Sequence, residues 1–287
     1  MLSIVRASGN NRWISRSQPP NPVNSVGHDF HFCRVSRGDT LHNALTRHEH
    51  YLFSRLRLKA GMRVLQVGSG RGSVAVELAN FYNVEVVGVD VDYDQIQRAT
   101  ELIQDLHLEN RVTFVHVSSF DTLKEDFPRE AFDAVFSIEA LKFSPSFLTA
   151  YESLQMILRP GGQLAVYEWC WTSAFDLNDP DHRRLAELIQ HCTHIGQRPL
   201  EGRTVNAAIA ALRAGNFHDI GCEDLTDRGQ SGSNLAWYSF LDIAISRDDT
   251  IWAPMGGLTK TSAVALSQAG HLKLLSPIVL LVATRGT

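Results

Sequence analysis

The run VLQVGSGRG at residues 64–72, followed by EVVGVDVD at 85–92, most constrains what this chain can fold into. An apolar stretch that breaks into closely spaced glycines just before a helical pattern reads as strand, tight turn and helix. Gly68, Gly70 and Gly72 allow positive φ and close approach of the backbone to a ligand. The second apolar run ends at Asp90, where a carboxylate can accept hydrogen bonds from a ribose diol. Together these features predict a nucleotide-type cofactor site at the first turn of a parallel sheet. A dinucleotide turn favours G-x-G-x-x-G, whereas the spacing here is G-x-G-x-G. Taken alone, the glycines also fit an ordinary strand-to-helix turn.

From Met62 onward, strand and helix patterns alternate: RVLQVG, a helix over 74–81, VEVVGVD, a helix over 93–106, RVTFVHV, AFDAVFSI, a helix over 145–158, and GGQLAVYEWC. Such alternation predicts an α/β fold, a doubly wound, mostly parallel, Rossmann-like sheet with helices on both faces. DPDHRRLAELIQHC reads as a further helix and TVNAAIAALRAGNF as another stopped by Gly215. HDIGCEDLTD then leads into an edge strand, and PIVLLVATR closes the chain as a strand. The expected organisation is a flexible arm over 1–26, a lid-helix region over 27–60, a cofactor-binding core over 61–226, and a cap with the closing strand over 227–287. The lid helix rests on the helical spacing of Leu41, Leu45, His48, Leu52 and Leu56; the cap carries Trp237, Tyr238, Phe240 and Trp252 in a mixed pattern.

At 287 residues and 44% hydrophobic content, the chain can bury one large α/β core with an appended cap. A net charge of -4 without a long Lys/Arg run argues against a nucleic-acid partner and for a small-molecule one. Cys33, Cys170, Cys192 and Cys222 lie far apart and form no C-x-x-C pair, so neither a metal site nor a disulfide framework is expected and the thiols read as reduced. No run reaches about 18 consecutive apolar residues. The expectation is a cytoplasmic protein without an integral membrane segment, with peripheral contact to an internal membrane and the oligomeric state left open.

The G-x-G-x-G turn resembles the first motif of class I S-adenosylmethionine-dependent methyltransferases. FHF at 30–32, RHEHYL at 47–52 and YEWCWTSAFDLNDPDH at 167–182 resemble the sterol 24-C-methyltransferase family, whose members methylate a side-chain alkene. With FDAVFSIEA, RPGGQLAVYEW and GHLKLLSPIVLLVATR, the similarity covers roughly residues 27–225 and the last strand. The resemblance implies S-adenosylmethionine as cofactor, held by Gln66, Gly68, Ser69, Gly70 and Gly72 from the first turn. Asp90, Val91 and Gln95 follow from the second turn, Ser118, Ser119 and Phe120 from the third, and Ile138 from the fourth. It also implies C-methylation of an apolar small molecule, sterol-like, terpenoid or polyketide.

Glu139 and Glu168, after the fourth and fifth strands, are the candidate acceptor-side carboxylates, because ligands of a parallel sheet bind outside its carboxyl ends; either can equally cap a neighbouring loop. His50 is a candidate proton acceptor, and His48 and His31 can orient an acceptor or simply pack. Phe30, Phe32, Tyr51 and Trp169 read as pocket walls or as core, Asp176 as a turn residue, and Asp179 as a helix cap before Pro180. The chain departs from the family pattern in four places. Gln66 replaces an acidic residue, Ser119 an aspartate, PVNSVGHD an aromatic and glycine-rich run, and Leu141, Lys142 and Phe143 a threonine, cysteine and histidine. These departures shift the expectation from a bulk sterol to a related apolar metabolite. They also motivate an alternative in which methyl transfer is lost and the pocket promotes cyclisation or isomerisation.

Overall fold

The computed structural model describes residues 29–195, 198–226, 234–247 and 258–287; the arm expected over 1–26 and Trp252 lie outside them. Its elements run β1 (Val35–Ser36), α1 (Leu41–Phe53), β2 (Arg63–Val67), α2 (Ser73–Tyr82), β3 (Glu85–Asp90), α3 (Tyr93–Asp105), β4 (Val112–His116), α4 (Leu123–Asp126), β5 (Phe132–Ile138) and α5 (Phe147–Ile157). They continue with β6 (Leu158–Trp171), α6 (Pro180–Cys192), α7 (Val205–Ala214), β7 (Phe217–Asp224), β8 (Asn234–Leu235), α8 (Ser239–Arg247), α9 (Lys260–His271) and β9 (Leu275–Arg285).

The main sheet has the order β4-β3-β2-β5-β6-β9-β7. Strands β4 to β6 pair in parallel, and β9 runs antiparallel to both β6 and β7. Val64, Leu65, Val86 and Val87 are buried because a parallel sheet is covered on both faces, which is why these strands read as continuous apolar runs. The chain winds outward from β2 to β4 and returns to place β5 on the other side of β2. The crossovers therefore diverge between β2 and β5, and a crevice opens at their carboxyl ends.

Strand alternation divides the core between the two faces. Tyr167, Trp169 and Trp171 of β6 point to the face covered by α1, α2, α3, α6 and α9, whereas Val166 and Cys170 point to the face covered by α5 and α7. Local capping follows the sequence: the Asp179 carboxylate accepts from the amides of Asp181 and His182, with Pro180 at the first helical position. The end of α7 differs in one detail. Gly215 keeps a negative φ of -78°, and it is Asn216, at φ +60°, that makes the left-handed turn.

Helix α1 lies in the region expected as a lid and packs one face against the sheet. Helix α1 buries Ala44, Leu45, His48, Glu49, Leu52 and Phe53, and the His48 ring stacks on Tyr167 at 3.8 Å. The Tyr167 hydroxyl donates to the His48 carbonyl at 3.0 Å. Burial and the neighbouring His31 hold the His48 imidazole well below its ordinary pKa, so it is neutral. The short β1–β8 ladder ties the segment that precedes α1 to residues 234–235.

Candidate active site

The crevice begins where β2 ends. Amides of Gly68 and Ser69 both donate to the Val89 carbonyl, at 2.8 and 2.9 Å, fastening the turn to β3. Gly68 sits at φ +78°, and a Cβ there would run into Ala140 Cβ; Gly70 sits at φ +52°, and its amide donates to Asp90 Oδ2 at 2.9 Å. The Asp92 amide donates to the other Asp90 oxygen at 3.1 Å. Burial pushes the Asp90 carboxyl up, and these backbone donors oppose the rise.

A pocket of about 230 Å³ lies over this turn, lined by Gln66, Gly68, Ser69, Gly70, Val74, Asp90, Val91, Phe120, Ile138, Glu139, Ala140, Lys142 and Phe143, with Asp29, Phe30 and His31 across its mouth. Gln66 Oε1 and Ser69 Oγ are buried in it with no hydrogen-bond partner among the described residues. Buried polar atoms are nearly always satisfied, so these two mark where a polar ligand belongs. A left-handed glycine turn, two orphaned polar groups and a carboxylate at the end of the next strand fit a nucleoside cofactor.

The strap at residues 29–32 is pinned on both sides of the pocket. The Asp29 carboxylate accepts from the Arg71 amide at 2.7 Å and pairs with Arg71 Nε at 2.7 Å, while the Asp29 amide donates to Ser73 Oγ at 3.2 Å. At the other side, the Phe32 amide donates to Glu139 Oε1 at 2.5 Å. Glu139, at φ +58°, also accepts on Oε2 from the Trp169 indole N–H at 2.8 Å and from Lys142 Nζ at 3.0 Å. The Lys142 ammonium lies 4.0 Å from the centre of the Trp169 ring, a cation–π contact. The sequence signalled neither the Asp29 contact nor the commitment of Glu139, since the partners lie 42, 107 and 30 residues away.

Of the expected site residues, Gln66, Gly68, Ser69, Gly70, Asp90, Val91, Phe120, Ile138 and Glu139 converge on the pocket. Gly72 instead begins α2 and packs on the Phe114 ring, Gln95 presents its amide to the Asp92 cap of α3, and Ser119 Oγ pairs with Asp121; neither these nor Ser118 line the pocket.

Two catalytic expectations need correction. His50 projects from α1 toward α2, with Nε2 2.9 Å from Glu77 Oε1 and its ring against Phe81, away from the pocket. Glu168 is not at a strand end, because β6 continues to Trp171, and alternation turns its side chain to the face opposite Trp169. There it is fully buried beside Tyr151 and the cations Arg198 and Arg203. Both its oxygens lack a hydrogen-bond partner among the described residues, and burial pushes its carboxyl up to about 7.

A second cavity, of about 790 Å³, opens at the same edge of the sheet, where β6 and β7 end at Trp171 and Asp224 and β9 begins at Leu275; Arg34, Trp237 and Tyr238 add to its wall. An aromatic cluster stands between the two spaces: Phe30 and Phe32 at 5.5 Å, Phe32 and Trp169 at 5.5 Å, and Phe32 and Trp237 at 5.2 Å, all edge-on. Tyr51 is not part of it, since its hydroxyl donates to Glu223.

Comparison with known proteins places this geometry. A methyltransferase-domain family model matches residues 58–227. The sterol 24-C-methyltransferase of Aspergillus fumigatus is 36% identical over 212 residues, which are 74% of this chain and 54% of that protein. The sterol 24-C-methyltransferase of Kluyveromyces lactis is 30% identical over 292 residues, covering 90% of this chain and 76% of that protein. The chain spans about half the length of curated relatives such as those of Aspergillus fumigatus and Saccharomyces cerevisiae. Among solved structures, the geranyl diphosphate C-methyltransferase of Streptomyces coelicolor superposes with a TM-score of 0.72 at 15% identity, over 90% of this chain and 92% of that one. The cyclase SpnF superposes with a TM-score of 0.70 at 21% identity, over 93% and 92%. At such identities these two show the doubly wound fold alone.

Proposed function

The chain belongs to the class I S-adenosylmethionine-dependent methyltransferase family, with sterol 24-C-methyltransferases among its relatives, and we propose that it transfers a methyl group from S-adenosylmethionine to carbon of an apolar small molecule. The observation that carries this reading is the pair of buried, partnerless polar atoms, Gln66 Oε1 and Ser69 Oγ, over a glycine turn whose neighbour strand ends in Asp90.

The cofactor supplies an electrophilic methyl on a sulfonium. Gln66 and the Ser69 hydroxyl hold its polar groups, without a charged side chain at position 66, and Asp90 accepts from its ribose diol. Val91 and Phe120 offer apolar surface beside them. The acceptor's reacting carbon lies at the Lys142 end of this pocket, and the 790 Å³ cavity beyond the aromatic cluster takes the rest of its skeleton. Phe30, Phe32, Trp169 and Trp237 exclude water between the two, and holding the reactants in register supplies most of the acceleration. Among the described residues no helix is long and apolar enough to cross a membrane, and a cytoplasmic setting with peripheral membrane contact remains part of the proposal.

Calorimetric titration with S-adenosylmethionine and S-adenosylhomocysteine tests it, beside a Gly70→Asp variant that forces a second carboxylate onto Asp29. Micromolar binding, about -8 kcal/mol, that disappears in the variant is the expected result. Methyl uptake by an apolar acceptor then completes the test. No binding at high ligand concentration overturns the reading. Conversion of an acceptor at unchanged mass would put cyclisation or isomerisation in its place.

A further inference from the structure

Lys142 lines the pocket beside Glu139, and it changes what the pocket offers to an acceptor. Alkene methylation leaves a carbocation, which a free carboxylate or an open aromatic face stabilises. Here neither is free. Glu139 has its two oxygens committed to the Phe32 amide, the Trp169 indole and the Lys142 ammonium, and the Trp169 face is covered by that same ammonium at 4.0 Å.

The other charges around the pocket are also engaged. Asp29 pairs with Arg71, Asp90 accepts from the amides of Gly70 and Asp92, and His31 lies 3.8 Å from Glu49; Glu168 acts from the opposite face of the sheet. Lys142 is, among the described residues, the one lysine or arginine lining the pocket, and its side chain is only 14% exposed. An ammonium has three N–H donors, and a single hydrogen bond, to Glu139, uses one of them. The remaining two give the pocket a fixed, partly desolvated cation with donor capacity left over.

Resting on the methyltransferase reading, we propose that Lys142 selects an acceptor carrying an acidic enol or phenol and binds it as its oxyanion, which makes the adjacent carbon the nucleophile. The acceptor O–H proton leaves to solvent on binding. The electron pair of the enolate carbon forms the new C–CH₃ bond while the S–CH₃ pair stays on sulfur. The displaced C–H proton then restores the enol, so the sum is acceptor plus sulfonium giving methylated acceptor, thioether and one proton. Lys142 thus does for an anion what an open aromatic face does for a cation.

The test uses the protein saturated with S-adenosylhomocysteine and 7-hydroxycoumarin as probe, whose spectrum separates phenol from phenolate, at a pH below the probe's free pKa. The wild-type protein is expected to bind the probe as phenolate. Lys142→Met is expected to bind it as phenol and about tenfold to a hundredfold more weakly, as befits loss of one charge-assisted hydrogen bond, and Lys142→Arg to restore the phenolate spectrum. Under turnover, 4-hydroxy-6-methyl-2-pyrone should take up labelled methyl in preference to a sterol bearing only a side-chain alkene. Failure of the wild type to bind S-adenosylhomocysteine would overturn the methyltransferase reading itself. Normal S-adenosylhomocysteine binding with the same probe spectrum in wild type and Lys142→Met would overturn this proposal alone. A tenfold loss of S-adenosylhomocysteine affinity in Lys142→Met would also overturn it, by assigning the ammonium to the cofactor.

Discussion

Replacing Gly68 by alanine separates two costs that the glycine turn avoids. The first is conformational: an L-residue at φ +78° gives up about 1–2 kcal/mol relative to glycine. The second is steric, because the new methyl would run into Ala140 Cβ. Ala140 follows Glu139, whose carboxylate is held by Phe32, Trp169 and Lys142, so it cannot move aside freely. Overpacking of this kind costs about 1–3 kcal/mol, giving a total of about 2–5 kcal/mol. At about 2–4 °C per kcal/mol for a large domain, the melting temperature should fall by about 4–20 °C. Gly61 supplies the control, since it has φ +81° but nothing within 4 Å of an added Cβ. Gly61→Ala should show the conformational cost alone, a drop of about 2–8 °C on the same scale. Calorimetric melts of both variants without cofactor decide the matter. Equal drops in the two would refute the steric reasoning, and with it the close approach of the turn to the end of β5.

Other perturbations reach the rest of the molecule. Burial raises the Glu168 carboxyl from 4.5 to about 7, so the folded protein keeps a proton that the unfolded chain releases. That contribution is fully present below pH 4.5 and is lost as pH rises through about 7, amounting to about 3 kcal/mol. Glu168→Gln removes the loss, so urea unfolding should show the variant gaining about 3 kcal/mol on the wild type between about pH 5 and pH 8; parallel pH profiles would count against the buried placement. Asp29→Ala breaks a partly exposed ion pair and should change stability by less than about 1 kcal/mol. It should nonetheless speed release of S-adenosylhomocysteine severalfold in stopped flow, because one of the two anchors of the strap is gone. An unchanged release rate would show that the strap does not gate the pocket.

The features legible in the sequence are those decided within a few residues. The alternation of strand and helix patterns predicted the doubly wound sheet, because a parallel strand buried on both faces needs an apolar run and a crossover needs an amphipathic helix. Asp179 before Pro180 marked the start of α6, since a cap bonds to amides two and three residues on. Gln66, Gly68, Ser69, Gly70, Asp90 and Val91, which the sequence proposed for the cofactor, line the pocket at the carboxyl ends of two adjacent parallel strands and on the turns that follow them. Even at this range the detail slipped at α7, where Asn216 rather than Gly215 takes the left-handed conformation.

His50, Glu168, Asp29 and Lys142 show where local reading ends. His50 and His48 lie two apart on one helix, and only the packing of α1 decided that His48 meets Tyr167 while His50 meets Glu77. Glu139 and Glu168 both looked like carboxylates at strand ends. β5 stops at Ile138 and β6 runs on to Trp171, so one borders the pocket and the other is sealed under the opposite face. The sequence by itself determined the periodicities, the turn that only glycine can make and the carboxylate twenty residues beyond it, because these follow from backbone sterics and side-chain spacing. Tertiary structure alone decided that Asp29 latches the glycine turn and that Glu139 and Lys142 both meet Trp169. Those contacts join segments far apart in the chain, and their geometry exists only once the whole sheet and its covering layers have packed.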